Sequence, residues 1–236
     1  MKAILLDIEG TTTPLSFVLE VLFPYARTHL RDHLERHQMS AEYQAMLDRL
    51  RDEYRIDSSR GESVPPWSAV SYCEWLMDRD RKSTALKAIQ GKIWEEGYAN
   101  GELIGQVFDD VPMAFERWRA AGVPIAIFSS GSVLAQQLLF RHSTAGDLTG
   151  YLRSYFDTTT GPKIEGDSYR RIATAMAVDP GDIVFVSDVT RELDAARDAG
   201  MQTRLAMRPG NAPVANDNGH PVIRTLAAVE ALTPLG

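Results

Sequence analysis

A chain of 236 residues is long enough for one large domain, or for one domain carrying a smaller inserted one. Its 44% apolar and 24% charged residues exclude compositional disorder, and a single cysteine, Cys73, excludes an intrachain disulfide and a Cys-only metal cluster. The formal charge of −7 argues against a general nucleic-acid or anionic-membrane surface, while leaving room for a local positive pocket.

In chain order, residues 2–6 form a short apolar run that stops at Asp7-Ile8-Glu9-Gly10-Thr11-Thr12-Thr13-Pro14. This reads as a buried strand followed by a polar, turn-rich loop. The run is too short, and too soon acidic, for a signal peptide, so a cytoplasmic location is expected. From Phe17 to about Asn100 the pattern is helical. Leu19, Leu22, Phe23, Ala26 and Leu30 recur at helical spacing, then Tyr43, Met46, Leu47 and Leu50, then Val70, Trp75 and Leu76, then Leu86, Ile89, Ile93 and Trp94. After Gly105 helices and strands alternate. Helices are expected over residues 112–121, 133–142, 168–177 and 191–199, and strands over 124–128, near 155–156, over 183–186 and over 202–206. Residues 225–232 are expected to close the chain as a helix. The longest apolar runs, 124–128 and 183–186, are of strand length and far short of a membrane span.

Strands separated by helices of ten to fifteen residues indicate βαβ units and a parallel sheet. The expected fold is therefore α/β, a doubly wound, Rossmann-like parallel-sheet core with an all-helical cap inserted after strand one. The core takes residues 1–15 and 101–236 and the cap residues 16–100.

In open parallel sheets ligands bind beyond the carboxyl ends of the strands, so polar residues there are the candidates. Strand one delivers Asp7 and Glu9, the strand at 124–128 delivers Ser129-Ser130-Gly131-Ser132, Lys163 follows the strand at 155–156, and the strand at 183–186 delivers Asp188. That set suits phosphoryl transfer. An aspartate can attack phosphorus and form an aspartyl-phosphate. Asp7 and Asp188 can share Mg²⁺, a cation that seeks oxygen and offsets repulsion between carboxylate and phosphate. Lys163 adds positive charge, Ser129 can hold phosphate oxygens, and Glu9 is placed to protonate the leaving oxygen and later deprotonate a water.

The order Asp-x-acid, Ser, Lys, Asp resembles the haloacid dehalogenase-like phosphatases, and within them the enolase-phosphatase family of methionine salvage. Asp7-Ile8-Glu9-Gly10-Thr11-Thr12-Thr13-Pro14 looks like that family's first motif, with Glu where most relatives of the superfamily have a second Asp. Phe23-Pro24-Tyr25-Ala26, Asp80-Arg81-Lys82, Ala85-Leu86-Lys87, Ser129-Ser130-Gly131-Ser132 and Arg141-His142-Ser143-Thr144 are similar to it as well. So are Phe156-Asp157-Thr158, Lys163-Ile164-Glu165, Ser187-Asp188-Val189-Thr190-Arg191-Glu192 and Arg208-Pro209-Gly210-Asn211-Ala212. The resemblance implies enolisation and then dephosphorylation of 2,3-diketo-5-methylthiopentyl-1-phosphate. It implies that Asp7, Glu9 and Asp188 hold Mg²⁺, Glu9 by side chain or backbone carbonyl, and that Ser129, Ser130 and Lys163 hold substrate. The working form is expected to be a monomer acting on a small phosphate ester, with no nucleic-acid or membrane partner.

Plainer readings stand beside these. Ser129 and Ser130 could cap the following helix. Glu192 and Asp194 are expected to support the site or stay solvated. His29, His33 and His37 have a spacing that could hold zinc, but with Arg27, Arg31 and Arg36 between them a solvated helix face is expected. Asp109-Asp110 before Val111-Pro112 reads as a helix N-cap, and Cys73 as core. The segment 81–94, with Lys82, Lys87, Gln90, Lys92 and Trp94, is the expected reader of the leaving group. The rivals are another phosphatase of the superfamily, a dehalogenase that uses Asp7 without metal, and a catalytically silent binding protein.

Overall fold

The computed structural model describes residues 1–37, 39–214 and 216–231. Strand β1 (Ala3–Leu6) is followed by a π-helical turn (Phe17–Leu22) that runs directly into α1 (Phe23–His37). Pro24 offers no N–H to the preceding turn and its ring crowds the carbonyl there, which accounts for the wider winding before it. Helices α2 (Ala41–Ser59), α3 (Ala69–Asp78) and α4 (Thr84–Ala99) follow, opened by Ser40, Ser68 and Ser83, each of whose hydroxyls accepts a first-turn N–H. Then come α5 (Val111–Ala120), β2 (Ile125–Phe128), α6 (Val133–Arg141), β3 (Leu152–Phe156), α7 (Gly166–Met176), β4 (Ile183–Ser187), α8 (Thr190–Asp198), β5 (Gln202–Ala206), β6 (Val222–Ile223) and α9 (Ala228–Ala231). Of the helix expected over 225–232, Leu232 lies outside the described residues. No described helix is long and apolar enough to cross a membrane.

The chain divides into two compact units, Met1–Leu19 with Ile104–Gly236, and Glu20–Leu103. The first holds a six-stranded, wholly parallel sheet in the order β3-β2-β1-β4-β5-β6. This is the doubly wound core expected from the alternating pattern. Parallel strands covered on both faces need no polar alternation, which is why β1, β2 and β4 read as unbroken apolar runs. One face packs Leu5, Phe128 and Phe185 against Tyr169 and Ile172 of α7 and Leu193 of α8, all buried. The Tyr169 ring meets Phe128 edge-on at 5.5 Å and lies 5.1 Å from Phe185. Each such side chain contributes about 1.5–3 kcal/mol by leaving water. Strand β6, two residues paired to β5 through Leu205 and Val222, was not expected, because two residues carry no periodicity. The strand order reverses between β1 and β4, and at such a switch point the two carboxyl ends open a crevice.

The second unit is all helical, with α1 and α2 packed on α4 around Leu30, Leu34, Leu50, Leu86, Ile89 and Ile93. Cys73 is buried core, as expected. The histidine stripe departs from expectation. His33 is only 1% exposed: its Nδ1 stands 3.0 Å from Glu96 Oε2 and its Nε2 bonds the Tyr43 hydroxyl. His37 Nε2 lies 2.7 Å from Glu96 Oε1, and Arg36 donates to Glu96 Oε2 at 2.8 Å. Burial pushes the Glu96 carboxyl upward, but the bonds from Arg36 and His33 outweigh it and hold the group at about 2. The buried stripe Ala26, Leu30, Leu34 passes through His33, and its partners come from α2 and α4, far along the chain. His29, stacked on Tyr25 with centroids 3.9 Å apart, and His37 stay partly exposed.

One other expectation needs correction. Asp110 sits at the N-cap of α5 but makes no capping bond; its Oδ2 accepts from Arg208 Nη1 at 2.9 Å and from Leu226 N at 2.6 Å. Within the segment 81–94, Lys92 is tied to Glu42 at 3.0 Å and Glu95 at 3.2 Å, and the buried Trp94 indole donates to Leu22 O at 2.9 Å. Both side chains are therefore engaged in packing the helices.

Candidate active site

Asp7 follows the last residue of β1. Its own N–H continues the ladder to Val186 O of β4 at 3.0 Å, which aims the side chain into the crevice between the two strand ends. The carboxylate is almost wholly buried and held from three directions. Oδ1 accepts from Ile8 N at 2.7 Å and from the Lys163 ammonium at 2.7 Å, and Oδ2 accepts from the Ser187 hydroxyl at 3.2 Å. Lys163 reaches the same spot from the loop between β3 and α7, and also pairs with Glu192 Oε2 at 2.7 Å. Burial alone would lower the lysine's pKa, but Asp7 and Glu192 outweigh it and hold the ammonium above its usual range. Lys163 therefore stands as a cation between two carboxylates.

Glu192, in the first turn of α8, belongs to the site more closely than its sequence suggested. It holds Lys163 directly and accepts from Ser187 at 3.1 Å, so one serine hydroxyl lies between two carboxylates. Asp194, considered with Glu192, faces elsewhere, towards Arg197, Asn218 and His220.

Asp188 lies just past β4. Burial and then the Asp7 charge push its carboxyl up to about 7, and the Glu9 charge adds to that push. Glu9 itself is half-buried in the loop after β1. Asp7 and Glu192 thus pair with one ammonium, and the charges of Asp188 and Glu9 add to the same region. Excess negative charge removed from water is strongly unfavourable unless a cation answers it. An all-oxygen donor set with surplus negative charge fits a hard divalent ion. The loop is shaped to admit one: Gly10 takes φ +66°, and a Cβ there would stand 2.2 Å from Asp188 Oδ2.

The loop 8–13 is held from outside. Arg208 Nε donates to Thr11 O at 2.9 Å, and Asn211 Nδ2 donates to Gly10 O at 2.9 Å. Neither position was expected to do this. Pro209 and Gly210 between them mark a turn, which says nothing of where the turn's neighbours dock. Ser129 is buried at the end of β2, where its Oγ accepts from Gly131 N at 3.1 Å, and Ser130 is half-buried beside it. The cap of α6 is Ser132, which accepts from Ala135 N at 3.3 Å, so Ser129 and Ser130 are not needed for capping. Gln136 braces the same loop by donating to Gly131 O and Phe156 O, each at 2.9 Å. The crevice thus gathers Asp7, Lys163, Asp188 and Glu192, with Glu9 on the β1 loop and the two serines at the end of the neighbouring strand.

A family model described as haloacid dehalogenase-like hydrolase matches residues 1–200. The chain is 56% identical over 220 residues to Enolase-phosphatase E1 of Synechococcus elongatus, covering 91% of this chain and 92% of that one. It is 49% identical over 215 residues to Enolase-phosphatase E1 of Sorangium cellulosum, with 89% and 90% covered. The solved structure of the Unknown transcript 4 protein of Saccharomyces cerevisiae superposes with a TM-score of 0.77 at 33% identity, over 95% of this chain and 97% of that one.

Proposed function

The chain belongs to the haloacid dehalogenase-like hydrolases, in their enolase-phosphatase branch, and from that footing we propose that it enolises 2,3-diketo-5-methylthiopentyl-1-phosphate and then dephosphorylates it. The product is 1,2-dihydroxy-3-keto-5-methylthiopentene, an intermediate of methionine salvage. Asp7 is the nucleophile. One carboxylate oxygen attacks phosphorus, the bond from phosphorus to the ester oxygen breaks, and Glu9 delivers a proton to that oxygen. A water deprotonated by Glu9 then attacks the aspartyl-phosphate and restores the Asp7 carboxylate. Lys163 fixes Asp7 and faces the charge of the transferring group, while Ser129 and Ser130 hold phosphate oxygens. Asp7, Asp188 and Glu9 would hold the divalent cation, assigned as Mg²⁺, which offsets repulsion between carboxylate and phosphate. Glu192 positions Lys163. The helical unit is assigned the reading of the leaving group, and the enzyme is taken to work as a cytoplasmic monomer.

The observation that carries this reading is the Lys163 ammonium, 2.7 Å from Asp7 Oδ1 and 2.7 Å from Glu192 Oε2, at the point where the strand order reverses. A buried nucleophile beside a fixed cation suits attack on a phosphate dianion. The test is to supply the diketo phosphate with Mg²⁺ and follow the enediol absorbance together with free phosphate. Both should rise in step. Phosphate without the enediol would assign another phosphate ester, and neither signal would remove the reading.

A further inference from the structure

We propose that His33, His37 and Glu96 form a second cation site, within the helical unit, for a transition-metal dication of the Zn²⁺ class. His33 and His37 stand four residues apart on α1, so their rings share a face, with centroids 4.7 Å apart. Glu96 comes from α4. His33 Nδ1 lies 3.0 Å from Glu96 Oε2 and His37 Nε2 lies 2.7 Å from Glu96 Oε1, and the three donor atoms fall within 4.8 Å of one another. Metal–ligand bonds of about 2.0–2.1 Å set ligand atoms roughly 3.3 Å apart around a tetrahedral ion, so small shifts suffice. Two imidazoles and one carboxylate suit zinc, copper, nickel or iron, not Mg²⁺, which separates this set chemically from the oxygen-only donors of the core.

Partners for the ligands are already present. Tyr43 bonds His33 Nε2, so when Nδ1 gives its lone pair to the metal, Nε2 keeps the proton and donates it to the phenol oxygen. Arg36 holds Glu96 Oε2 at 2.8 Å and comes within 3.4 Å of His37 Nε2. Its guanidinium supplies positive charge where the dication would, and its side chain, 56% exposed, can move aside into water. Arg36 is thus a built-in competitor. Metal held only by the folded unit would pin α1 to α4 and raise the melting temperature by mass action.

The test uses the full chain in excess Mg²⁺, titrated with Co²⁺ and followed by visible absorption and calorimetry, with melting curves in Zn²⁺. The wild-type protein should take one equivalent with the spectrum of nitrogen ligation. His37→Ala, a partly exposed position, should weaken binding by at least about a hundredfold, more than loss of a ligand's partner costs, and should abolish the Zn²⁺ shift in melting. Arg36→Gln should bind more tightly than wild type. Absence of Co²⁺ binding by the wild type in excess Mg²⁺, or equal affinity in wild type and His37→Ala, overturns the proposal. So does a failure of Arg36→Gln to tighten binding.

Discussion

The two units bury polar groups by opposite routes. In the core, Asp7, Ser129 and Asp188 stand one or two residues beyond the ends of apolar strands, and the register of the parallel sheet carries them to one rim. In the helical unit, His33 lies towards the end of α1, Asp57 and Glu96 in the last turns of α2 and α4, and they meet partners that other segments of the unit deliver. Asp57, 5% exposed, accepts from Tyr72 Oη at 2.8 Å and from Arg81 Nη2 at 2.8 Å. A strand end points its polar residue at a crevice whatever the neighbouring helices do. A carboxylate on a helix acquires meaning only when another segment arrives. The core set should therefore control chemistry and the helical set should control stability, and substitutions can break that division.

The largest effect is expected for Asp7→Asn, because an amide is a poor nucleophile and a weaker cation ligand. Phosphate release in saturating Mg²⁺ should disappear. Turnover within about tenfold of wild type, only ~1.4 kcal/mol of barrier, would contradict the assignment. Next comes Gly10→Ala. The left-handed backbone costs an L-residue about 1–2 kcal/mol, and the Cβ would overlap Asp188 Oδ2 at 2.2 Å. Asp188 must move, so the Mg²⁺ requirement measured by titration should rise at least tenfold, well beyond what the change in melting temperature explains. An unchanged requirement would show that the loop does not shape the cation site.

Tyr72→Phe probes the other unit. It leaves the buried Asp57 with one donor fewer, a loss of about 1–3 kcal/mol readable in denaturant unfolding, while kcat should stay within about twofold. A larger loss of kcat than of stability would erase the division between the units. The smallest expected effect is Ser83→Ala. Its hydroxyl accepts from Leu86 N at 2.9 Å at the start of α4, and losing a cap costs about 1 kcal/mol. A loss near zero would mean that packing alone orders the first turn of α4.

Much of the core site was legible before the fold was known. An unbroken apolar run of four or five residues is a covered parallel strand, so the polar residue that ends it must lie at the rim, and Asp7, Ser129 and Asp188 follow. Glu192 was harder, because a glutamate in the first turn of a helix is ordinarily solvated, and only the arrival of Lys163 from another loop makes it part of the site. Arg208 and Asn211 read as turn material, and their grip on Thr11 and Gly10 needs the strand order to bring the two loops together.

The sequence by itself determined the alternation of strands and helices, the parallel sheet and the carboxylates at the strand ends. Each of these is a short-range property, set by periodicity and by where an apolar run stops. Tertiary structure alone decided that His33 is buried against Glu96 and Tyr43, that Asp110 binds Arg208 instead of capping its helix, and that Lys92 and Trp94 serve helix packing. These pairings join residues far apart in the chain. A helix pattern shows which face is apolar but not which side chains the facing helix presents, so a histidine among arginines reads as solvated until the packing closes over it.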